Sequence, residues 1–365
     1  MMKLYYLLLL PLFIVSCSSD PSFTLSGRIS DSGEEFIYLN RRENGEWVTT
    51  DSTIITEGQF QFEGRVDYPK EYYLQISGKR GYKMLFLENH FISVSGSADS
   101  LYSLKVTGSV TNNEYDLYSN TIDLLLSKKI EILTRQQQAL LDGDSVKTRL
   151  LREENSSIDK EIVDWKVKFL IENSGSYASP IVLQSLTTDI EPDILESLIE
   201  GLDQSLNSTE VIVNLKEYIS KRKTLKPGNI ASDFDMPDTE GALVSLSDIT
   251  GEGPVLLYFW ASWCANCSEV SESLEEIFAK YSSQGVKIIA VSLDSDRENW
   301  LGSIGERSKE WIHLSDLKFW NNSAAKLYGI NRIPEVYLLD NSGSIIGSDI
   351  IPEEMDEMVK TLIDK

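Results

Sequence analysis

Along the first third of the chain, apolar residues tend to fall on every second position. Phe60, Phe62 and Val66 sit among polar neighbours, the period of a strand with one buried face. Short segments of this kind occur at 23–29, 36–40, 47–55, 59–66, 72–77, 83–87, 91–95 and 104–107, separated by Gly, Ser, Asn and Asp. Residues 17–110 therefore predict an all-β, sandwich-like domain whose Tyr and Phe residues supply its core. From Thr111 the period lengthens. Leu117, Ile122, Leu125, Leu126, Ile130 and Leu133 have helical spacing, as do Ile162, Trp165, Phe169 and Leu170. Asp142-Gly143-Asp144 and 173–176 break the pattern, and Glu191-Pro192 opens a third helix. Residues 111–223 thus read as an α-helical connector that holds its two neighbours apart. A basic run ending at Pro227-Gly228 marks the next boundary. Beyond it, strands at 255–260, 287–293, 335–340 and 344–348 alternate with helices near 265–284, 296–307, 321–328 and 353–364, which predicts an α/β domain over 224–365. Asn341-Ser342-Gly343 turns its last two strands into a hairpin.

The extreme N-terminus does not belong to this pattern. Lys3 precedes an apolar run about half as long as the roughly 20 residues a membrane-spanning helix needs, so residues 1–16 read as a signal peptide. Its end, Ile14-Val15-Ser16-Cys17, resembles the bacterial lipoprotein cleavage box, which implies that Cys17 is lipidated and becomes the new N-terminus. The other reading is a secretory signal with a chance cysteine. Acyl chains at Cys17 would hold the chain on the inner or outer membrane of the cell envelope, facing the periplasm, with no spanning helix. That compartment permits disulfides.

Charge narrows the function further. The chain has 34 Lys+Arg against 57 Asp+Glu, a formal net charge of -23, and such a surface repels nucleic acid. The C-terminal segment, 224–365, holds -13 of that charge. Only 3 cysteines occur, too few for a disulfide scaffold. With Cys17 lipidated, Cys264 and Cys267 are the remaining thiols.

Those two follow an apolar strand, in Phe259-Trp260-Ala261-Ser262-Trp263-Cys264-Ala265-Asn266-Cys267, and precede a helix. Unpaired N–H groups at a helix N-terminus favour a thiolate. Val270, Leu274, Ile277, Phe278 and Tyr281 mark the inward face, on which Cys267 falls; Cys264, on the first turn, is expected to be exposed. Cys264 would then attack a target disulfide and Cys267 would resolve the mixed disulfide. Lowering a thiol pKa from about 8.5 to about 7 takes roughly 2 kcal/mol, more than a helix terminus typically supplies, so Cys264 needs a second influence. His90 and His313 are both distant in sequence, and His313 reads as structural. Three other readings of the pair compete. A structural disulfide closing so short a loop contributes only about 2 kcal/mol. A metal centre lacks two of its four ligands, so no metal and no cofactor are expected. A peroxidatic site is suggested by the lead-in 231–248, which is similar in style to peroxiredoxins, but Ala261 and Leu257 stand where their pattern has Thr/Ser and Pro.

Pro334 opens the apolar run Glu335-Val336-Tyr337-Leu338-Leu339, a poor place for a ladder-bonded trans proline and a good one for a cis Ile333-Pro334 bond. With the Trp-Cys-x-x-Cys segment, this makes 227–365 resemble the thioredoxin superfamily, specifically the TlpA/ResA-like membrane-anchored thiol-disulfide oxidoreductases. The β region resembles the N-terminal domain of unknown function found in many lipoproteins of that kind. The resemblance implies that the cis-proline loop faces the cysteines, that the backbone at Ile333 bonds the target as an added strand, and that Trp260 and Trp263 pack the site and its rim. Asn266 stands where the family often has proline, and Val270 where it commonly has an acid, which leaves the proton acceptor for Cys267 unassigned. Glu335 replaces a common threonine beside the target loop, where it would repel acidic targets or raise the Cys264 pKa. The function expected is a lipid-anchored, periplasm-facing oxidoreductase that reduces or exchanges protein disulfides. Its partners would be disulfide-containing envelope proteins and an upstream membrane electron donor. The alternatives are an envelope scaffold that uses a thioredoxin fold as platform, and a peroxiredoxin-like peroxidase.

Overall fold

The alternation of the first third closes into two facing sheets. In the computed structural model, which describes residues 22–43, 46–251, 253–305 and 308–364, eight strands precede the first helix: β1 (Phe23–Ser30), β2 (Phe36–Glu43), β3 (Glu46–Ile54), β4 (Gln59–Gly64), β5 (Lys70–Ile76), β6 (Lys83–Leu87), β7 (Phe91–Ser97) and β8 (Lys105–Thr107). One sheet has the order β4-β1-β7-β8 and the other β3-β2-β5-β6. Within these two sheets, among the described residues, β1 and β7 are the one parallel pair. Leu25, Phe62 and Val94 of the first sheet share one core with Ile37, Leu74 and Leu85 of the second. This is the sandwich that the period-2 pattern predicts. The chain leaves it at Asn112, whose side chain accepts from the Phe86 N–H at 2.9 Å and donates to the Phe86 carbonyl at 2.7 Å.

The chain forms two compact units, one ending at Leu117 and the other beginning at Tyr118. Five helices follow the strands: α1 (Val110–Leu141), α2 (Ser145–Glu172), α3 (Ser179–Gln184), α4 (Pro192–Glu200) and α5 (Glu210–Thr224). Asp144 caps α2 by accepting from the Lys147 N–H, and Pro192 occupies the first turn of α4. The buried stripe of α1 differs from the one the periodicity predicts. Leu125, Ile132 and Ala139 pack against Leu151, Ile158 and Ile162 of α2, whereas Leu126, Ile130 and Leu133 are exposed. A single antiparallel neighbour covers only a narrow seam of a broad apolar face.

The last third holds a hairpin of β9 (Asp235–Pro237) and β10 (Leu243–Ser245), then α6 (Leu246–Thr250), β11 (Val255–Trp260), α7 (Cys267–Tyr281), β12 (Lys287–Ser292), α8 (Arg297–Gly302), β13 (Ile312–Leu314), α9 (Ser323–Leu327), β14 (Glu335–Leu339), β15 (Ile345–Ser348) and α10 (Pro352–Ile363). Its five-stranded sheet has the order β13-β12-β11-β14-β15. β11, β12 and β13 are parallel, β14 runs against them, and β15, antiparallel to β14, runs with them. β11 and β14 are apolar at nearly every position because both sheet faces are covered. Leu257, Phe259, Tyr337 and Leu339 pack on one face with Tyr328, while Leu256, Tyr258, Val336 and Leu338 pack on the other under Leu274 of α7 and Met355 of α10. The edge strand β13 and the β9–β10 hairpin were not anticipated from the pattern: at three residues each, they are too short to show a period. Among the described residues no helix is long and apolar enough to cross a membrane.

Candidate active site

β11 delivers the chain to the cysteines, and two successive turns hold them. The Cys264 N–H donates to the Ala261 carbonyl at 3.1 Å, and the Cys267 N–H to the Cys264 carbonyl at 3.2 Å. Helix α7 begins at Cys267, so Cys264 lies just before the first turn rather than on it. The two sulfurs are joined as a disulfide, with their Cα atoms 5.4 Å apart. Cys267 is 2% exposed and Cys264 is partly open to solvent, the asymmetry expected of an outer and an inner sulfur.

The inward face of α7 carries no acid beside Cys267: Val270 fills that position and Glu269 points to solvent. Tyr258, six residues before Cys264, is the polar group beneath the pair. Its hydroxyl donates to the Cys267 carbonyl at 3.0 Å and lies 3.1 Å from Ser271 Oγ. Burial pushes the Tyr258 hydroxyl well up, so it stays neutral and acts as a donor to the helix start rather than as a base.

Asp294, which the sequence reading missed, anchors the approach to Cys264. It is 2% exposed and accepts from the Ser262 N–H at 3.0 Å, from Ser262 Oγ at 2.5 Å and from Ser292 Oγ at 2.7 Å. A buried carboxylate so fully bonded fixes the loop it holds. The only local hint in the sequence was the polar Ser-Leu-Asp that ends an otherwise apolar strand.

Ile333-Pro334 is cis. The last paired residues of β11 and β14 are Phe259 and Glu335, which places Pro334 and Ile333 at the sheet end from which the cysteine loop departs. Cys264 and Ile333 pack against the same two cores. Trp263 is 47% exposed, with its ring centroid 5.2 Å from Phe319 and 5.9 Å from Trp320.

Glu335 does not act as the sequence suggested. It is buried at 2% exposure, its Oε1 accepts from Arg222 of α5 and from the Tyr337 hydroxyl, the latter at 2.6 Å, and Arg222 also donates to Tyr337 at 2.6 Å. An acid so placed does not face incoming targets. Burial pushes its carboxyl up, against the pull of the Arg222 guanidinium and the Tyr337 hydroxyl. His313 is likewise structural: it is buried, with Nε2 2.8 Å from the Ser308 carbonyl and its ring stacked on Trp311 at 6.0 Å, and burial pushes its pKa down. Cys17 lies outside the described residues. A recess of about 500 Å³ between Asp238 and Trp311 contains neither cysteine.

A family model described as thioredoxin-like matches residues 252–345, the span that contains both cysteines and the cis-proline. Thiol-disulfide oxidoreductase ResA of Bacillus cereus is 31% identical over 153 residues, which are 40% of this chain and 83% of that protein. The chain belongs to the ResA family of thiol-disulfide oxidoreductases. ResA of Oceanobacillus iheyensis is 30% identical over 144 residues, 37% of this chain and 69% of that protein. A solved thiol-disulfide oxidoreductase from Bacteroides fragilis is 29% identical, with 37% of this chain and 99% of that one covered and a TM-score of 0.35. Residues 23–115, outside the span of the thioredoxin-like model, fit a domain of unknown function, DUF4369. As a ResA homologue the protein is a thiol-disulfide oxidoreductase with an N-terminal β domain added.

Proposed function

We propose that the protein is a lipid-anchored reductase of disulfides in envelope proteins, with Cys264 as attacking sulfur and Cys267 as resolving sulfur. The observation that carries this reading is the difference between the two sulfurs, one partly open beside the cis-proline loop and one sealed under Tyr258 and Val270. In the reduced pair, the Cys264 thiolate attacks one sulfur of the target disulfide, forms a mixed disulfide and releases the target's other sulfur as a thiolate, which takes up a proton. Cys267 then loses its proton and attacks Cys264 Sγ. The Cys264–Cys267 bond forms, the mixed bond breaks, and the target leaves as a dithiol. Two electrons have passed to the target, and a membrane-bound dithiol donor must return two to restart the cycle. Ile333 and Pro334 would pair with the target's backbone, and Trp263 would form the rim. The acyl group on Cys17 would keep the body of the protein on the periplasmic side of the inner or outer membrane.

The test uses single substitutions in the full chain. Cys264→Ser should abolish insulin-disulfide reduction while far-UV circular dichroism stays unchanged, and Cys267→Ser should accumulate mixed disulfides with envelope proteins. Retained reduction by Cys264→Ser, or no trapped target with Cys267→Ser, sinks these roles, and an unchanged cellular phenotype of Cys264→Ser would leave the thioredoxin fold as a scaffold. Cys17→Ala should move the protein from the membrane fraction to the soluble fraction. If it stays on the membrane, the anchor has been misassigned.

A further inference from the structure

Aromatic side chains buried for stability hide most of their surface, yet two of the three rings beside Cys264 do not. Trp263 is 47% exposed and Phe319 is 44% exposed, and both touch Trp320. Trp320, Cys264 and Ile333 pack against the same core, so the rings lie on the ground that a target bound at Cys264 and Ile333 must cross. Phe319 has φ +52° and Leu317 φ +55°, left-handed conformations that are outliers for bulky residues and persist only where the surroundings impose them. Here the surroundings do. Asp316 accepts from the Asn322 side chain at 3.0 Å and from the Ser323 N–H at 2.9 Å, and the Leu317 N–H donates to Ser315 Oγ at 3.1 Å. Ser315 Oγ in turn donates to the Ser292 carbonyl, and Ser292 shares Asp294 with Ser262. One polar anchor at the end of β12 therefore fixes both the loop that presents Cys264 and the loop that presents Phe319.

We propose that Trp263, Phe319 and Trp320 form a specificity subsite that takes an apolar side chain, aromatic above all, flanking the half-cystine of an extended polypeptide target. This deepens the reading of Cys264 as the attacking sulfur and rests on it. A rigid exposed ring surface gains most from covering apolar area and least from charged groups, so the occupant is a polypeptide segment rather than a small anionic disulfide. Because the two loops share an anchor, the rings are in place before the target arrives.

The test compares two cyclic peptides that are identical except for Phe or Ser next to one cysteine, reduced by the full chain in its dithiol form. The wild-type protein should favour the Phe peptide by about tenfold in kcat/KM. Phe319→Asn removes the ring with a residue that tolerates the left-handed backbone, and should bring that ratio close to one. Trp263→Ser, at an exposed position, is the second variant and should lower the ratio in the same sense, whereas Phe319→Tyr should keep it. A wild-type ratio near one with both peptides reduced, or a ratio unmoved by both ring-removing variants, overturns the subsite and leaves the cysteine assignment standing. Failure to reduce either peptide overturns both. A dimer in sedimentation that Phe319→Asn dissociates also overturns it, because the rings would then face a second copy.

Discussion

A carboxylate at 2% exposure needs a counter-charge, and Glu335 finds its partner 113 residues earlier in the chain, at Arg222. The pair and Tyr337 close a triangle of hydrogen bonds directly after the cis-proline. Breaking a buried pair from one side leaves the other charge without compensation, which typically costs about 3–5 kcal/mol, while replacing both partners with apolar groups is far milder. Arg222→Met should therefore destabilise the protein strongly, and Arg222→Met with Glu335→Met should recover most of the loss. The pH dependence has a definite sign. Burial already raises the Glu335 carboxyl, and without Arg222 only the Tyr337 hydroxyl opposes that push, so the folded state holds the proton more tightly than the unfolded chain, whose carboxyl titrates near 4.5. Below 4.5 both states are protonated and the variant's deficit is small. As pH rises through the folded value, the deficit grows. Urea unfolding of wild type, single and double variants at several pH values reads this directly. A deficit under about 1 kcal/mol at neutral pH, or one independent of pH, would show that the pair carries little of the fold.

At the scale of elements, what the sequence disclosed and what it hid divide by distance along the chain. Strand β4 was legible because alternation reports one buried face, and β11 and β14 because unbroken apolar runs report two. The cysteine pair and the cis-proline were legible because each is a local pattern whose meaning is local. The contacts that finish the site are not local. Asp294 acts on Ser262, 32 residues away, and a lone acid after a strand has nothing in its own neighbourhood to mark it. Nothing in the local sequence of Phe319-Trp320 marks Phe319 as the exposed ring or its backbone as left-handed. Helix α1 shows the same limit for apolar residues: spacing gives the width of the greasy face, but α2 decides which part of it is covered. The pattern of the sequence changes at Pro227-Gly228, but residues 118–365 form one compact unit: α5 reaches past that point through Arg222, and Arg332 beside the cis-proline donates to the Thr188 carbonyl at 3.4 Å. The helical segment thus helps to brace the cis-proline loop.

For the molecule as a whole, charge is the property that acts before any contact forms. Residues 224–365 carry 11 Lys+Arg against 24 Asp+Glu, and the segments 17–110 and 111–223 are also net negative, by 4 and 7 charges. No segment from residue 17 onward offers an offsetting positive field, so an approaching anionic target is repelled whichever part it meets. The repulsion acts on encounter far more than on the sulfur chemistry, and it is screened over about 10 Å at 0.1 M salt. Two disulfide peptides of equal apolar content, one flanked by Lys and the other by Glu, should therefore separate in kcat/KM at low salt, with the Lys peptide reduced faster. The gap should close as salt is raised to about 0.5 M, mainly through the apparent second-order rate constant for the first thiol exchange. Stopped-flow tryptophan fluorescence can follow that step, since Trp263 adjoins Cys264. A preference that survives high salt unchanged would place the discrimination in direct contacts at the rim instead of the long-range field. The two effects are separable, because replacing Phe319 alters the apolar preference without changing the charge that sets the salt dependence.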